Sequence, residues 1–167
     1  MYYRVNTRVV RRSSLLYKDA GSPYGPDGFY YAETEVHKSF FSAFLRTIGI
    51  GIFVMVALFR MGRFFLKKVI PSPGTGPSKE ERDKSWFRVR FLCETVEGNK
   101  LLGTVSGGDP GYSETAKMVS NAAICLVDKD NLCAPGGVLT PARSMGMPLV
   151  NRLRDADMVL KVEPFES

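Results

Sequence analysis

The spacing of apolar and polar residues changes period several times along the chain, and each change marks an element. In residues 86–95, Phe87, Val89, Phe91 and Cys93 alternate with Arg88 and Arg90, the period-two pattern of a half-buried strand. Glu97-Gly-Asn99 supplies a turn, and residues 100–105 return as the hairpin partner. Over residues 113–127 the period lengthens, so that Ala116, Val119, Ala123 and Leu126 share the face of a helix expected to pack on the sheet. A second helix is predicted over 147–156 with Pro148 in its first turn, followed by a closing strand at 158–162. Ser78 with Glu81 three residues on fits a capping box, and Thr140 is placed to cap the turn after it. Residues 4–10 also alternate as a strand does. Residues 17–31, punctuated by Gly21, Pro23, Gly25, Pro26 and Gly28, read as a turn-rich connection, with Tyr24-Gly-Pro-Asp27 a structural turn. The expected fold class is α+β: a curved antiparallel sheet with helices on one side, plus one hydrophobic membrane-associating helix over residues 39–68.

That apolar segment stands apart from the rest. Residues 47–59 carry no charge and are bounded by Arg46 and Arg60, too few to cross about 30 Å of hydrocarbon, which takes roughly 20 residues. Extension back through Phe40, Phe41, Phe44 and Leu45 reaches that length with one internal arginine, which can snorkel. Phe40, Phe44, Ile48, Ile52, Met55 and Phe59 are the expected membrane-anchoring residues. Downstream, Arg60, Arg63, Phe64 and Phe65, with Lys67 and Lys68, form a basic and aromatic interfacial anchor. A short span, a helix lying in one leaflet or tucked against other apolar helices, and a buried core helix of a soluble domain are all open at this point. Pro71 to Pro77 holds too many prolines and glycines for regular structure and reads as a stiff linker. The domain organisation expected is therefore 1–38 (N-terminal strand and turn-rich segment), 39–70 (membrane-associating helix) and 71–167 (C-terminal α+β unit).

Composition narrows the function classes. The chain has 167 residues, 44% of them hydrophobic, enough for one domain with an appended element. Its net charge of +6 suits acidic headgroups or an acidic protein; the bases are scattered over both halves, which excludes nucleic acid as the expected partner. Cys93, Cys125 and Cys133 lack metal-ligand spacing and read as buried or partly buried thiols of a reducing compartment. His37, the only histidine, sits beside the apolar segment as a headgroup-level or surface residue. No paired acids, Ser-His-Asp set or metal cluster is recognisable, so no catalytic, cofactor-binding or metal residues are expected.

The chain carries further motifs: Pro71-Ser-Pro-Gly-Thr-Gly-Pro-Ser-Lys-Glu-Glu-Arg82, Trp86-Phe-Arg-Val-Arg-Phe91, Gly107-Gly-Asp-Pro-Gly-Tyr112 leading into Thr115-Ala-Lys-Met-Val119, and Gly136-Gly-Val-Leu-Thr-Pro141. With Asn6-Thr-Arg-Val-Val-Arg-Arg-Ser13 and Tyr24-Gly-Pro-Asp27, their order resembles the C-terminal part of the saccharopine dehydrogenase-like oxidoreductases, including the trans-acting enoyl reductases. The resemblance implies a two-part parent: an N-terminal Rossmann domain binding NAD(P), and a C-terminal α+β substrate domain with a hydrophobic, membrane-associating insertion. A dinucleotide site needs a strand, a G-x-G-x-x-G turn and a helix. No such unit is present: Gly49-Ile-Gly51 lies inside the apolar run, and the spacing of Gly107-Gly-Asp-Pro-Gly111 does not fit.

That loop feeds a helix N-terminus, where backbone N–H groups favour an anion. The resemblance places it near a substrate cleft, making Gly107, Gly108, Asp109, Tyr112 and Lys117 a vestigial substrate-cleft loop. A tight strand-to-helix connection, with Asp109 in local hydrogen bonds, is the favoured account. The arginines at positions 4, 8, 11 and 12, with no acid among residues 1–14, resemble a mitochondrial targeting composition. The resulting expectation is a pseudoenzyme: an accessory subunit without cofactor, anchored with other subunits in the mitochondrial inner membrane, in a respiratory-chain or ATP-synthase complex. The alternative is the C-terminal half of a split NADP-dependent oxidoreductase acting on a hydrophobic acyl or lipid-like substrate. A third is a lipid-binding protein of the membrane surface.

Overall fold

The structure is a computed structural model that describes residues 3–25, 28–35, 37–70, 74–128, 132–134 and 136–165. The chain divides into two compact units, one of Met1–Ala32 with Lys79–Ser167 and the other of Glu33–Ser78.

The first unit begins with helix α1 (Tyr3–Asp19), where alternation in residues 4–10 predicted a strand. Its sheltered positions explain the difference: Thr7 and Ser13 are buried and Val10, Ser14 and Tyr17 half-buried, a spacing of three or four that only a helix brings to one side. Ser13 Oγ lies 2.8 Å from Thr140 Oγ1, and the Tyr17 hydroxyl donates to the Ala142 carbonyl at 2.9 Å, fastening α1 to the later helix α6 (Pro141–Asp155). Thr140 is the N-cap of α6 by backbone conformation, yet its hydroxyl makes this contact with Ser13 rather than the cap bond expected of it.

After the short helix α4 (Lys79–Lys84) come strands β1 (Phe87–Glu94) and β2 (Lys100–Gly107), and β3 (Val159–Pro164) completes an antiparallel sheet in the order β1-β2-β3. The α+β class, the antiparallel hairpin and the closing strand are as the sequence predicts. At the hairpin, Gly98 adopts φ 83° while Thr95 N–H donates to Asn99 O, a left-handed position that glycine takes without a Cβ clash. Register puts Val89, Phe91 and Cys93 on one face with Val105, Gly103 and Leu101, and with Leu160 and Val162. The expected half-burial is absent from β1, where only Phe87 is sheltered and Phe91 is 43% exposed, and from Val162, 67% exposed, whereas Leu101, Gly103, Val105 and Leu160 on the same face are half-buried.

Helix α5 (Ser113–Val127) has the predicted bounds but the opposite orientation. Glu114 and Cys125 are buried and Lys117, Met118, Asn121 and Ala122 half-buried, while the apolar face of Ala116, Val119, Ala123 and Leu126 is exposed. Apolar periodicity identified a helix correctly, but the more apolar stripe is left open to solvent. α5 packs on α6, and α6 on β3. Among the described residues the buried apolar ones are Cys125, Met145, Leu153 and Met158, a small core for a unit of this size.

The helix predicted over 147–156 is the second limb of α6. Gly146 (φ 43°, ψ −130°) kinks the helix ahead of Pro148, which has no N–H to give the Ser144 carbonyl; the Cys133 N–H bonds that oxygen instead, at 2.7 Å. At the other end Met158 N–H donates to Leu153 O and Asp157 N–H to Arg154 O, with Asp157 at φ 64°. This is a Schellman closure, and its usual apolar pair, Leu153 and Met158, supplies half of the buried apolar set.

The second unit holds α2 (Phe40–Leu58) and α3 (Arg60–Val69). Ser39 and Ser42 cap α2 reciprocally. The continuous helix expected over 39–68 breaks at Phe59, which is extended (φ −87°, ψ 141°). Arg63 donates to the carbonyls of Ala57 and Leu58 at 3.3 and 3.2 Å, satisfying groups that a continuous helix would bond internally. A Cβ on Gly62 would run into the Val56 carbonyl, so the corner requires glycine there.

Candidate functional site

β2 ends at Gly107 and α5 begins at Ser113, so the Gly107-Gly-Asp-Pro-Gly-Tyr112 loop is a strand-to-helix turn. Asp109 organises it. Its Oδ2 accepts from the Tyr112 and Ser113 N–H groups at 2.8 and 3.0 Å, and Oδ1 from Gly111 at 3.4 Å. The carboxylate thus fills the positive helix end that an external anion would use. The Ser113 N–H above all, then those of Tyr112 and Gly111 and the charge of Arg82, hold the Asp109 carboxyl below its ordinary range despite the opposing effect of burial.

Next to it, Glu114 is buried at 6% exposure. Its Oε1 accepts from the Gly108 N–H at 3.3 Å and from Lys117 Nζ at 2.9 Å. Its Oε2, also buried, has no hydrogen-bond partner among the described residues. Gly107 makes room for this carboxyl group, because a Cβ there would sit 3.0 Å from Glu114 Cδ. The Arg82 guanidinium lies over the Tyr112 ring, 5.9 Å from its centroid. The loop therefore collects Arg82, Asp109, Tyr112, Glu114 and Lys117 at one end of α5.

Chemically, this cluster offers one sheltered carboxylate oxygen able to accept a hydrogen bond, and a half-exposed phenol. Asp109 and Lys117 are engaged within the loop, so neither is free to grip a phosphate or carboxylate ligand. Sequence reasoning missed Glu114, which in the first turn of a helix reads as a surface partner of the helix dipole. The signal available was Glu114 and Lys117 three apart, facing two glycines across the turn. A nicotinamide dinucleotide does not fit here: its pyrophosphate would meet the Asp109 carboxylate where it needs open N–H groups. A shallow apolar depression of about 370 Å³, lined by Ala123, Ile124, Val127 and Asp128, lies at the far end of α5, roughly 20 Å along the helix from the loop.

Of the thiols, Cys125 is buried, whereas Cys93 and Cys133 are exposed rather than partly buried. His37 lies 3.9 Å from the Glu35 carboxylate, which also holds Arg46 at 2.9 Å. Among the anchor residues, the Phe40 and Phe44 rings stack at 6.4 Å on α2, with Ile48, Ile52 and Met55 exposed along it and Phe59 at the break. Arg60, Arg63, Phe64 and Phe65 lie on α3, where Phe64 and Phe65 meet edge to face and Lys68 sits over the Phe64 ring. Pro26 and Asp27 of the Tyr24 turn, and residues 71–73 of the linker, lie outside the described residues.

No family model matches the chain, and no solved structure does. Curated proteins do. A protein of Mycobacterium tuberculosis provisionally named a trans-acting enoyl reductase is 34% identical over 97% of this chain and 40% of its own length. A trans-acting enoyl reductase of Mycobacterium ulcerans is 32% identical over 93% of this chain and 38% of its own, and another from M. tuberculosis is 33% identical over the same shares. These relatives overturn the expectation of a non-catalytic accessory subunit of a mitochondrial inner-membrane, respiratory-chain or ATP-synthase complex. They are named as enzymes, and they come from bacteria, which have no mitochondria. The pseudoenzyme and non-enzyme expectations fall with it. The arginines that suggested targeting belong to α1, which is fastened to α6 within the folded unit. Over nearly all of its length the chain is related to part of the trans-acting enoyl reductases, and it spans about 40% of the length of those relatives.

Proposed function

We propose that this chain is the substrate-side, C-terminal portion of an enoyl reductase of the trans-acting kind, on the saccharopine dehydrogenase-like plan. The reaction it serves is reduction of the carbon–carbon double bond of a hydrophobic 2-enoyl substrate. The hydride comes from NADPH held by a dinucleotide-binding portion, whether continuous with this chain or carried on another polypeptide. The observation that carries this reading is the match to named enoyl reductases over 97% of the chain but only 40% of the relative. Two features of the molecule fit. The loop most like a phosphate turn is filled by Asp109, so the nucleotide belongs elsewhere. On the apolar face of the sheet, Phe91 and Val162 of the outer strands stay exposed, as expected of a sheet built against further protein.

Native mass spectrometry of the assembly that contains this chain tests the reading. The expected result is one dinucleotide-binding portion with NADP(H) bound, and no nucleotide on the 167-residue chain by itself. An assembly with no dinucleotide-binding portion would overturn it.

A further inference from the structure

The second unit is an apolar element with a charged frame. None of the residues of α2 is buried, and its mean hydropathy reaches 2.0. Ile48, Ile52 and Met55 occupy one side of the helix and Ile50, Val54 and Leu58 the other, all of them 42–72% exposed. A protein groove covers one stripe of a helix; a helix apolar all round needs apolar surroundings on every side, which hydrocarbon supplies. Six of the chain's 23 Lys and Arg and two of its 17 acids, Glu33 and Glu35, lie in this unit, so it carries +4 of the net charge of +6, with no acid after Glu35.

Connectivity limits how such an element can meet a bilayer. The chain enters it from residues 3–32 and leaves it into residues 79–165, and these belong to the same compact unit, joined where Ser13 meets Thr140 and Tyr17 meets Ala142. Both flanks therefore lie on the same side of any membrane, and one crossing is excluded. A return crossing is excluded as well. α3 has ten residues, about 15 Å of helix against about 30 Å of hydrocarbon. Gly74, Gly76 and Pro77 lie in irregular backbone before α4, and irregular backbone does not traverse lipid.

Charge at both ends of the apolar run fixes its depth. Arg46, paired with Glu35 at 2.9 Å, precedes it and Arg60 follows; tipping either end to the bilayer centre would drag a cation there. On α3, Arg60, Arg63 and Lys67 recur at one-turn spacing, and Met61, Phe65 and Val69 lie opposite. The corner at Phe59, held by Arg63 and closed to any Cβ at Gly62, sets the bend between the helices.

We infer that residues 39–70 form a one-sided anchor in the near leaflet of an anionic membrane, with α2 lying beneath the headgroups and the basic stripe of α3 among them. The inference is independent of the enzymatic reading. The test uses the full chain with sealed phosphatidylcholine vesicles, with and without phosphatidylglycerol. Anionic lipid is expected to raise binding, and the triple variant Arg60→Gln, Lys67→Gln, Lys68→Gln to lower binding to anionic vesicles about a hundred-fold, at roughly 1 kcal/mol per charge. On the bound protein, a membrane-impermeant maleimide should reach both native Cys93, after the anchor, and a cysteine placed before it by Ser22→Cys. Labelling of only one of the two sites would mean a crossing and overturn the proposal. So would failure of the full chain to bind either vesicle, which would assign α2 to a protein partner.

Discussion

Replacing Lys117 by methionine removes the cation hydrogen-bonded to the Glu114 carboxylate, a residue that is 6% exposed. The Glu114–Lys117 contact is 2.9 Å, with Lys117 itself 29% exposed. Breaking a fully buried ion pair costs about 3–5 kcal/mol. Partial solvent access at Lys117 and the remaining Gly108 N–H bond to Oε1 reduce this to about 2 kcal/mol. Glu114→Gln keeps an acceptor for Gly108 and should cost about 1 kcal/mol. In the double variant the two losses should fail to add by about 1 kcal/mol or more, since neither partner is then left charged and alone. Urea unfolding followed by circular dichroism at neutral pH measures all four corners of the cycle. Additive losses, or a Lys117→Met effect within about 0.5 kcal/mol of zero, would refute the claim that this pair holds the loop; Lys117 would then be free to meet a substrate group.

Three further outcomes follow from the same geometry. Because Asp109 has a depressed carboxyl pKa in the folded state, its stabilisation is fully present above the unfolded value near 3.9 and is lost as pH falls through the folded value. The stability gap between wild type and Asp109→Asn, measured by urea unfolding, should thus be flat around neutrality and close in acid; a gap that widens in acid reverses the sign. Asp157, at φ 64° in the Schellman position, should give way to glycine with a gain of up to about 1 kcal/mol, seen as a higher Tm. Leu153→Ala, in a core whose buried apolar residues include just three others among those described, should cost about 2–5 kcal/mol by the same unfolding assay.

Legibility followed the physics of each element. The hairpin was readable because alternation, a Gly98 turn and a matching return strand all agree, and α5 because its apolar spacing persists through 15 residues. Which side of α5 turns inward was not readable: the stripe that is sheltered carries Glu114, Lys117, Asn121 and Cys125, and pattern reasoning selects the more apolar one. α1 reads as a strand because Val5, Thr7 and Val9 alternate locally, whereas its sheltered face mixes the hydroxyls of Thr7, Ser13 and Ser14 with Val10, Leu16 and Tyr17, a set whose most buried members carry no hydrophobic period. In the loop, Asp109 was legible as a local hydrogen-bonding residue from its place before a helix. Glu114 was not, because its burial depends on the absence of a side chain at Gly107, a tertiary fact. The functional class was misjudged for a different reason: a basic N-terminus and an apolar segment were read as targeting and anchoring of an inactive subunit, though neither bears on catalysis.

The central claim is that this chain works as part of an enoyl reductase. Its most direct measurement is NADPH consumption, followed at its absorbance maximum, when the native assembly is given a medium-chain 2-enoyl thioester. Consumption that depends on the thioester, yields the saturated product and disappears when this chain is depleted is the result the account predicts. Undiminished turnover after depletion, or no turnover by an intact assembly with NADP(H) bound, would contradict it.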